Sequence, residues 1–117
     1  MKITNTWLFG PGQDPNTLNN FGCTFTFVVS TTAATIKLIT GAADYLLGQT
    51  IIGPSAGGAA SMFAANGTTI RSLNLNGTTT GGIVGSYFNV MPISANTYWV
   101  WGNLIGSGSL ATPFATS

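Results

Sequence analysis

The chain of 117 residues alternates short runs of β-branched and aromatic residues with small polar clusters, and no long stretch keeps a helical period. Residues 23–30 read CTFTFVVS, with threonines alternating against Cys23, Phe25 and Phe27. This period of two is typical of a strand with one buried face. Residues 34–40 read ATIKLIT and show the same alternation. The small polar turn between the two runs predicts that they form a hairpin.

Further strands are predicted over 45–52, 60–64, 68–76, 83–92 and 97–105. Gly48 interrupts the first of these segments, which predicts either two short strands or one bulged strand. The glycine-rich stretch 53–60 predicts a loop. The Asn-Gly pairs at 66–67 and 76–77 each begin an N-glycosylation sequon, and we interpret both as hairpin turns.

The last long strand carries the densest aromatic cluster of the chain and follows a predicted tight turn at 94–96. Trp99 and Trp101 are two residues apart and share one face, with Tyr98 and Val100 on the other. Alternation requires that one of these two sets belongs to the core. The other set would then be available for contact with a sugar.

These patterns predict an all-β protein, built as a compact antiparallel β-sandwich or barrel-like domain over residues 16–117. Residues 1–15 are predicted to form an N-terminal arm that leads into this domain. The arm contains Trp7, Leu8 and Phe9 in succession, and successive residues of a strand point to opposite faces. Burying all three requires contact on both sides, so we expect them to bind a partner. A first core strand is the alternative interpretation.

Charged residues make up only 4% of the chain, against about 25% in an ordinary soluble domain. They are Lys2, Asp14, Lys37, Asp44 and Arg71, for a formal net charge of +1. So few basic residues argue against nucleic acid as a partner. The uncharged stretch between Asp44 and Arg71 is broken by glycine, proline and polar residues, so no membrane span is expected. The first residues also lack the apolar segment of a secretory leader.

The residue inventory argues against catalysis, because the chain has no histidine and no glutamate. Residues 53–57 (GPSAG) match the pattern around a nucleophilic serine, but without a histidine base we interpret them as part of a loop. Both aspartates are expected in turns, and no metal or cofactor site is predicted. Cys23 is the single cysteine, which excludes an internal disulfide and predicts a small buried side chain. We therefore expect a protein that is not an enzyme.

Residues 77–115, together with the preceding Asn76, carry a set of recognisable segments: NGTTTGG, a G-S-aromatic strand, A-N-T-aromatic-W, G-N-L-I-G-S-G and a terminal A-T-P-F. Together with the upstream strands, they resemble small tailed-bacteriophage virion proteins, particularly capsid decoration or cement proteins. The resemblance implies a homotrimeric β protein without cofactor, made in the host cytoplasm and located on the capsid surface of the virion. It would bind the major capsid protein or another virion protein. A tail-fibre or receptor-binding tip that contacts host glycans is the alternative.

A small domain without disulfides or salt-bridge networks has few sources of extra stability, and oligomerisation is the simplest one left. The shortage of charge points the same way, because little repulsion keeps such chains apart. We therefore expect a homo-oligomer, for which the resemblance implies three copies.

Overall fold

The alternating segments form strands in a computed structural model that describes residues 23–32, 34–94 and 96–117. The strands are β1 (Phe25–Val28), β2 (Ile36–Ile39), β3 (Tyr45–Pro54), β4 (Ser61–Asn66), β5 (Ser72–Leu75), β6 (Tyr87–Ser94), β7 (Thr97–Gly106) and β8 (Phe114–Ala115). The described residues contain no helix, so the predicted all-β class is confirmed. It follows that none of these residues belongs to a helix long and apolar enough to cross a membrane.

The strands form two sheets, one of five strands in the order β1-β6-β7-β3-β4 and one of three strands in the order β2-β5-β8. All neighbouring strands are antiparallel except β3 and β7, which run parallel over ten paired positions from Tyr45 and Thr97 to Pro54 and Gly106. The predicted antiparallel arrangement therefore holds for every described strand pair except β3 and β7. Between β4 and β6 the chain forms β5 in the three-stranded sheet. This crossing between the sheets allows β7 to run parallel to β3.

Both sheets contribute to one apolar core. The five-stranded sheet supplies Leu46, Ile52, Phe88, Val90, Tyr98, Val100 and Leu104, and the three-stranded sheet supplies Leu38, Leu73, Leu75 and Phe114. The ring of Phe27 stacks on Phe88 with centroids 5.1 Å apart. Each large apolar side chain that is fully buried contributes roughly 1.5–3 kcal/mol. Burial between the two sheets therefore provides the main stabilisation of the fold.

The predicted hairpin between residues 23–30 and 34–40 does not form. Strand β1 pairs with β6 and strand β2 pairs with β5, so the two strands belong to different sheets. The connection carries the chain from one sheet to the other. A local turn signal does not distinguish such a crossing from a hairpin, because both need only a short polar link.

Both Asn-Gly pairs form turns, but neither forms a hairpin. The side-chain Oδ1 of Asn66 accepts hydrogen bonds from the backbone N–H groups of Thr68 and Thr69, at 3.0 and 2.9 Å. Asn76 caps the backbone of Thr78 in the same way, at 2.8 Å. Strands β4 and β5 lie in different sheets, and residues 76–81 fold into a small loop after β5. The asparagine side chains therefore stabilise turns at which the chain passes from one sheet to the other.

Strand β3 is a single strand of ten residues, and so the predicted break or bulge at Gly48 is wrong. Gly48 nevertheless has a special backbone, with φ at +138°. A Cβ atom at this position would collide with the carbonyl oxygen of Val100 and lie 3.0 Å from Cδ1 of Trp99. A glycine within a strand can mark either a bulge or a close approach of another backbone. Gly48 marks a close approach of β3 to β7.

Several predicted boundaries are displaced. Cys23 is exposed rather than buried, because it precedes β1 instead of belonging to the strand. Strand β6 begins at Tyr87, and the preceding residues form a turn closed by the Ser86 N–H and the Ile83 carbonyl at 3.0 Å. The loop at 53–60 is confirmed from Ser55 onward, since β3 extends to Pro54. The arm over residues 1–15 lies outside the described residues.

Candidate contact surface on the five-stranded sheet

The five-stranded sheet turns one face toward the core and the other, called here the outer face, toward solvent. Along β3, Leu46 is completely buried, whereas its neighbour Leu47 is 39% exposed. Along β7, Tyr98 and Val100 are completely buried, whereas Trp99 is 41% exposed. The predicted division of the aromatic strand into two faces is confirmed, and Tyr98 and Val100 are the core set.

Strand register arranges the outward side chains in three rows that cross the sheet. The rows are Asn66, Leu47, Trp99 and Met91; Ala64, Gln49, Trp101, Asn89 and Thr26; and Met62, Ile51, Asn103, Tyr87 and Val28. All of these residues are apolar or carry a neutral amide or hydroxyl group. The outer face therefore has no charged side chain at these positions.

Large apolar side chains are concentrated on this face. In the described part of the chain, the exposed ones on the outer face are Val28, Leu47, Ile51, Met62, Tyr87 and Trp99, with Val84 in a turn and Ile93 near the end of β6 as the other two. Met62 and Val28 are the most exposed of the set, at 59% and 64%. A concentration of exposed apolar side chains on one face is typical of an interaction site in a folded protein.

A groove of about 520 Å³ crosses the outer face between the rows. Trp99, Trp101 and Tyr87 line it together with the aliphatic side chains of Leu47 and Met62. The two tryptophan rings lie 4.5 Å apart between centroids, with an interplanar angle of 36°. They form a tilted aromatic pair on a central strand, held by β6 on one side and β3 on the other.

The polar groups of the outer face are neutral, and some of them form hydrogen bonds with one another. The side-chain amide of Asn103 donates to the hydroxyl oxygen of Tyr87 at 2.7 Å. Farther along the sheet, the hydroxyl of Thr26 donates to Oδ1 of Asn89 at 2.6 Å. Gln49 lies beside Trp101 in the register of β3 and β7 and also lines the groove. The face therefore offers hydrogen-bonding groups without a formal charge.

The perturbed titratable groups lie away from the outer face. Asp44 is buried in the turn before β3, where its N–H donates to the carbonyl of Gly41 at 3.2 Å, as expected for a turn residue. Burial raises the pKa of its carboxyl group, and this exceeds the opposing effects of the Asn96 amide and the Arg71 charge. Burial also raises the pKa of the Tyr98 hydroxyl on the core side of β7. These groups belong to the structural core.

The serine of the GPSAG segment does not sit in a nucleophile elbow. Ser55 is exposed in the turn after β3, and the chain continues into β4 instead of a helix. The loop interpretation is confirmed for residues 55–57, whereas Gly53 and Pro54 are the last residues of β3. Within the described ranges there is no group of three or more histidine, cysteine, aspartate or glutamate residues placed to hold a metal ion.

The outer face contains site residues that the alternation pattern does not predict. The predicted partner-binding residues Trp7, Leu8 and Phe9 lie outside the described residues. The exposed outer-face positions Leu47 and Ile51 were not singled out, although β3 is apolar at both odd and even positions. Apolar residues on both faces of one strand are the signal that could have identified them.

Comparison of the chain with protein-family models, curated proteins and solved structures found no match. The interpretation of the candidate site is therefore based on its geometry and chemistry alone.

Proposed function

We propose that this chain is a virion structural protein of the capsid decoration, or cement, type, which binds an outer shell and stabilises it. The neutral, apolar outer face of the five-stranded sheet is the observation that supports a contact protein, because it offers a surface for a second molecule besides the shell that the arm is proposed to bind. Six large apolar side chains are exposed there on paired strands, and a surface of this kind is suited to contact with another molecule. The resemblance of residues 77–115 to phage decoration proteins supports the same role.

In this proposal the chain has no catalytic activity and no cofactor. General acid–base catalysis needs a titratable group placed at the reacting atoms, and the chain has neither histidine nor glutamate. The side chains around the groove are neutral amides, aromatic rings and aliphatic groups. Such groups bind and position a partner, which is the requirement of a contact protein.

Attachment to the particle is assigned to the arm over residues 1–15, through Trp7, Leu8 and Phe9. The partner is the major capsid protein or another virion protein, and the chain acts as a homotrimer on the capsid surface after synthesis in the host cytoplasm. Aromatic anchors of this kind often supply most of the energy of an interface. The outer face then stays available for a second contact.

Cosedimentation with particles that lack the protein tests this assignment. We expect the full chain to sediment with the particles, and a variant without residues 1–9 to stay folded but to bind at least about tenfold more weakly. Circular dichroism provides the folding control, and light scattering measures whether the free protein has the mass of a trimer. A truncated chain that binds as well as the full chain would contradict the role of the arm.

A further inference from the structure

The groove in the outer face is already formed in the folded chain and has the dimensions of a small-ligand site. Its volume of about 520 Å³ falls within the roughly 300–1,000 Å³ range of such sites. Trp99 and Trp101 are fixed on β7, which pairs with a strand on each side. Ligand binding would therefore require little ordering of the protein, and most of the contact energy would be retained.

The aromatic pair provides a surface for flat, weakly apolar groups. Tryptophan combines a large apolar ring surface with a negative π face, which attracts the polarised C–H groups of a ligand. The C–H face of a pyranose ring has this character, whereas its edge carries hydroxyl groups. Trp99 is 41% exposed and its ring lies 4.5 Å from that of Trp101, so aromatic surface at this pair is accessible to such a face.

The polar groups around the rings match the edge of a sugar. In the pair formed by Asn103 and Tyr87 the amide nitrogen is the donor, so the amide oxygen and the hydroxyl hydrogen can still bind ligand hydroxyl groups. Gln49 adds a second amide beside Trp101. Amide groups both donate and accept, as sugar hydroxyl groups do.

The absence of charge from the groove lining selects against ionic ligands. Its lining side chains are apolar or neutral, with no lysine, arginine or aspartate among them. A phosphate or carboxylate placed here would lose hydration without gaining a cationic partner, which is costly. A neutral ligand avoids this cost.

From these observations we infer that the groove is a binding site for a neutral saccharide, with Trp99 and Trp101 stacking on a pyranose ring. Asn103, Tyr87 and Gln49 provide the hydrogen bonds to its hydroxyl groups. The inference rests on the proposed role of the outer face as a contact surface. It gives the protein a glycan-recognition activity in addition to its attachment to a shell.

Titration of the full chain with neutral trisaccharides tests the inference. The probes are cellotriose, maltotriose and tri-N-acetylchitotriose, with trigalacturonate as an anionic comparison, and binding is followed by tryptophan fluorescence and by NMR. We expect at least one neutral probe to bind and trigalacturonate not to bind. Trp99→Ala and Trp101→Ala should each weaken binding by about tenfold or more. Val84→Ala, at an exposed apolar residue in a turn, should have no effect.

Three outcomes would overturn the inference. The first is the absence of binding by every neutral probe up to about 10 mM. A dissociation constant above this value would be too weak for recognition even if several copies of the chain bound together. The second is binding that both tryptophan substitutions leave unchanged. The third is a change of molecular mass in light scattering for Trp99→Ala, which would make the face a contact between copies of the chain. Particle cosedimentation of Trp99→Ala separates the two proposals, because attachment through the arm should persist when sugar binding is lost.

Discussion

The two faces of the five-stranded sheet are built from similar residues but have different surroundings. Leu46 and Leu47 are adjacent leucines, and Tyr98 and Trp99 are adjacent aromatic residues. One member of each pair is completely buried against the core, while the other is about 40% exposed. Apolar character alone therefore does not mark the core of this protein. The difference is that the three-stranded sheet covers one face, and no described part of the chain covers the other.

This comparison separates stability from function. Removing a buried side chain costs the transfer energy of its atoms and leaves a cavity, whereas removing an exposed one costs little. Natural sequences rarely keep large apolar groups on a surface without a use, because such groups favour aggregation. Folding therefore depends on the inner face, and the outer face is where recognition is proposed.

The largest expected effect comes from the two adjacent leucines. Leu46→Ala should lower the free energy of unfolding by about 2–5 kcal/mol, since it opens a cavity between the sheets. Leu47→Ala should lower it by less than about 1 kcal/mol. Urea unfolding of both variants measures the difference. Equal losses would mean that the outer face is packed as tightly as the core.

Gly48 tests how closely β3 and β7 approach. Gly48→Ala places a Cβ against the Val100 carbonyl in a backbone region that side chains rarely adopt, and should cost roughly 2–4 kcal/mol. Gly53→Ala on the same strand is the control, because no atom lies within 4 Å of its added Cβ, and should change stability by less than about 0.5 kcal/mol. Near-ultraviolet circular dichroism should also report a displaced Trp99. An unchanged spectrum and stability would contradict the close approach.

Two threonines on the core side should give opposite results. Thr50 Oγ1 is buried without a hydrogen-bond partner, so Thr50→Val should raise the free energy of unfolding by about 1 kcal/mol. Thr40 is equally buried, but its hydroxyl donates to the Asp44 carbonyl at 2.7 Å, and Thr40→Val should lower stability by about 1–2 kcal/mol. Thermal unfolding compares the two. The same sign for both variants would rule out this hydrogen-bond assignment.

The smallest expected effect is the change in the free energy of unfolding with pH that is caused by the buried Asp44 carboxyl group. Because burial raises the pKa of Asp44, the folded state binds the proton more tightly than the unfolded state. This carboxyl group therefore makes the protein less stable as the pH rises from 3.8 through the raised value. Asp44→Asn should gain stability relative to the wild type over that window and keep a constant difference above it. Urea unfolding from acid to neutral pH measures this; a pH-independent difference would refute it.

The sequence predicted the strands well because alternation is local information. Alternation with a period of two predicts the segments of β1 and β2 and the two faces of the aromatic strand β7. What alternation did not provide is which strands pair. The parallel pairing of β3 with β7 joins residues about fifty positions apart, and no local signal specifies it.

The candidate site was predictable only in part for a related reason. Trp99 and Trp101 were recognised as one of two possible exposed sets, but the choice depends on where the three-stranded sheet packs. Met62 and Ile51 meet the tryptophans only through the pairing of β4, β3 and β7. A groove assembled from three strands therefore becomes visible only once the register is known.

Hydroxyl-radical footprinting of the protein, free and bound to its particle, tests the central claim most directly. The claim is that the outer face remains open for recognition while the arm provides attachment. We predict that Met62 and Trp99 are modified at the same rate in both states. Strong protection of these two residues on the particle would show that the outer face is the attachment surface, and would contradict the account.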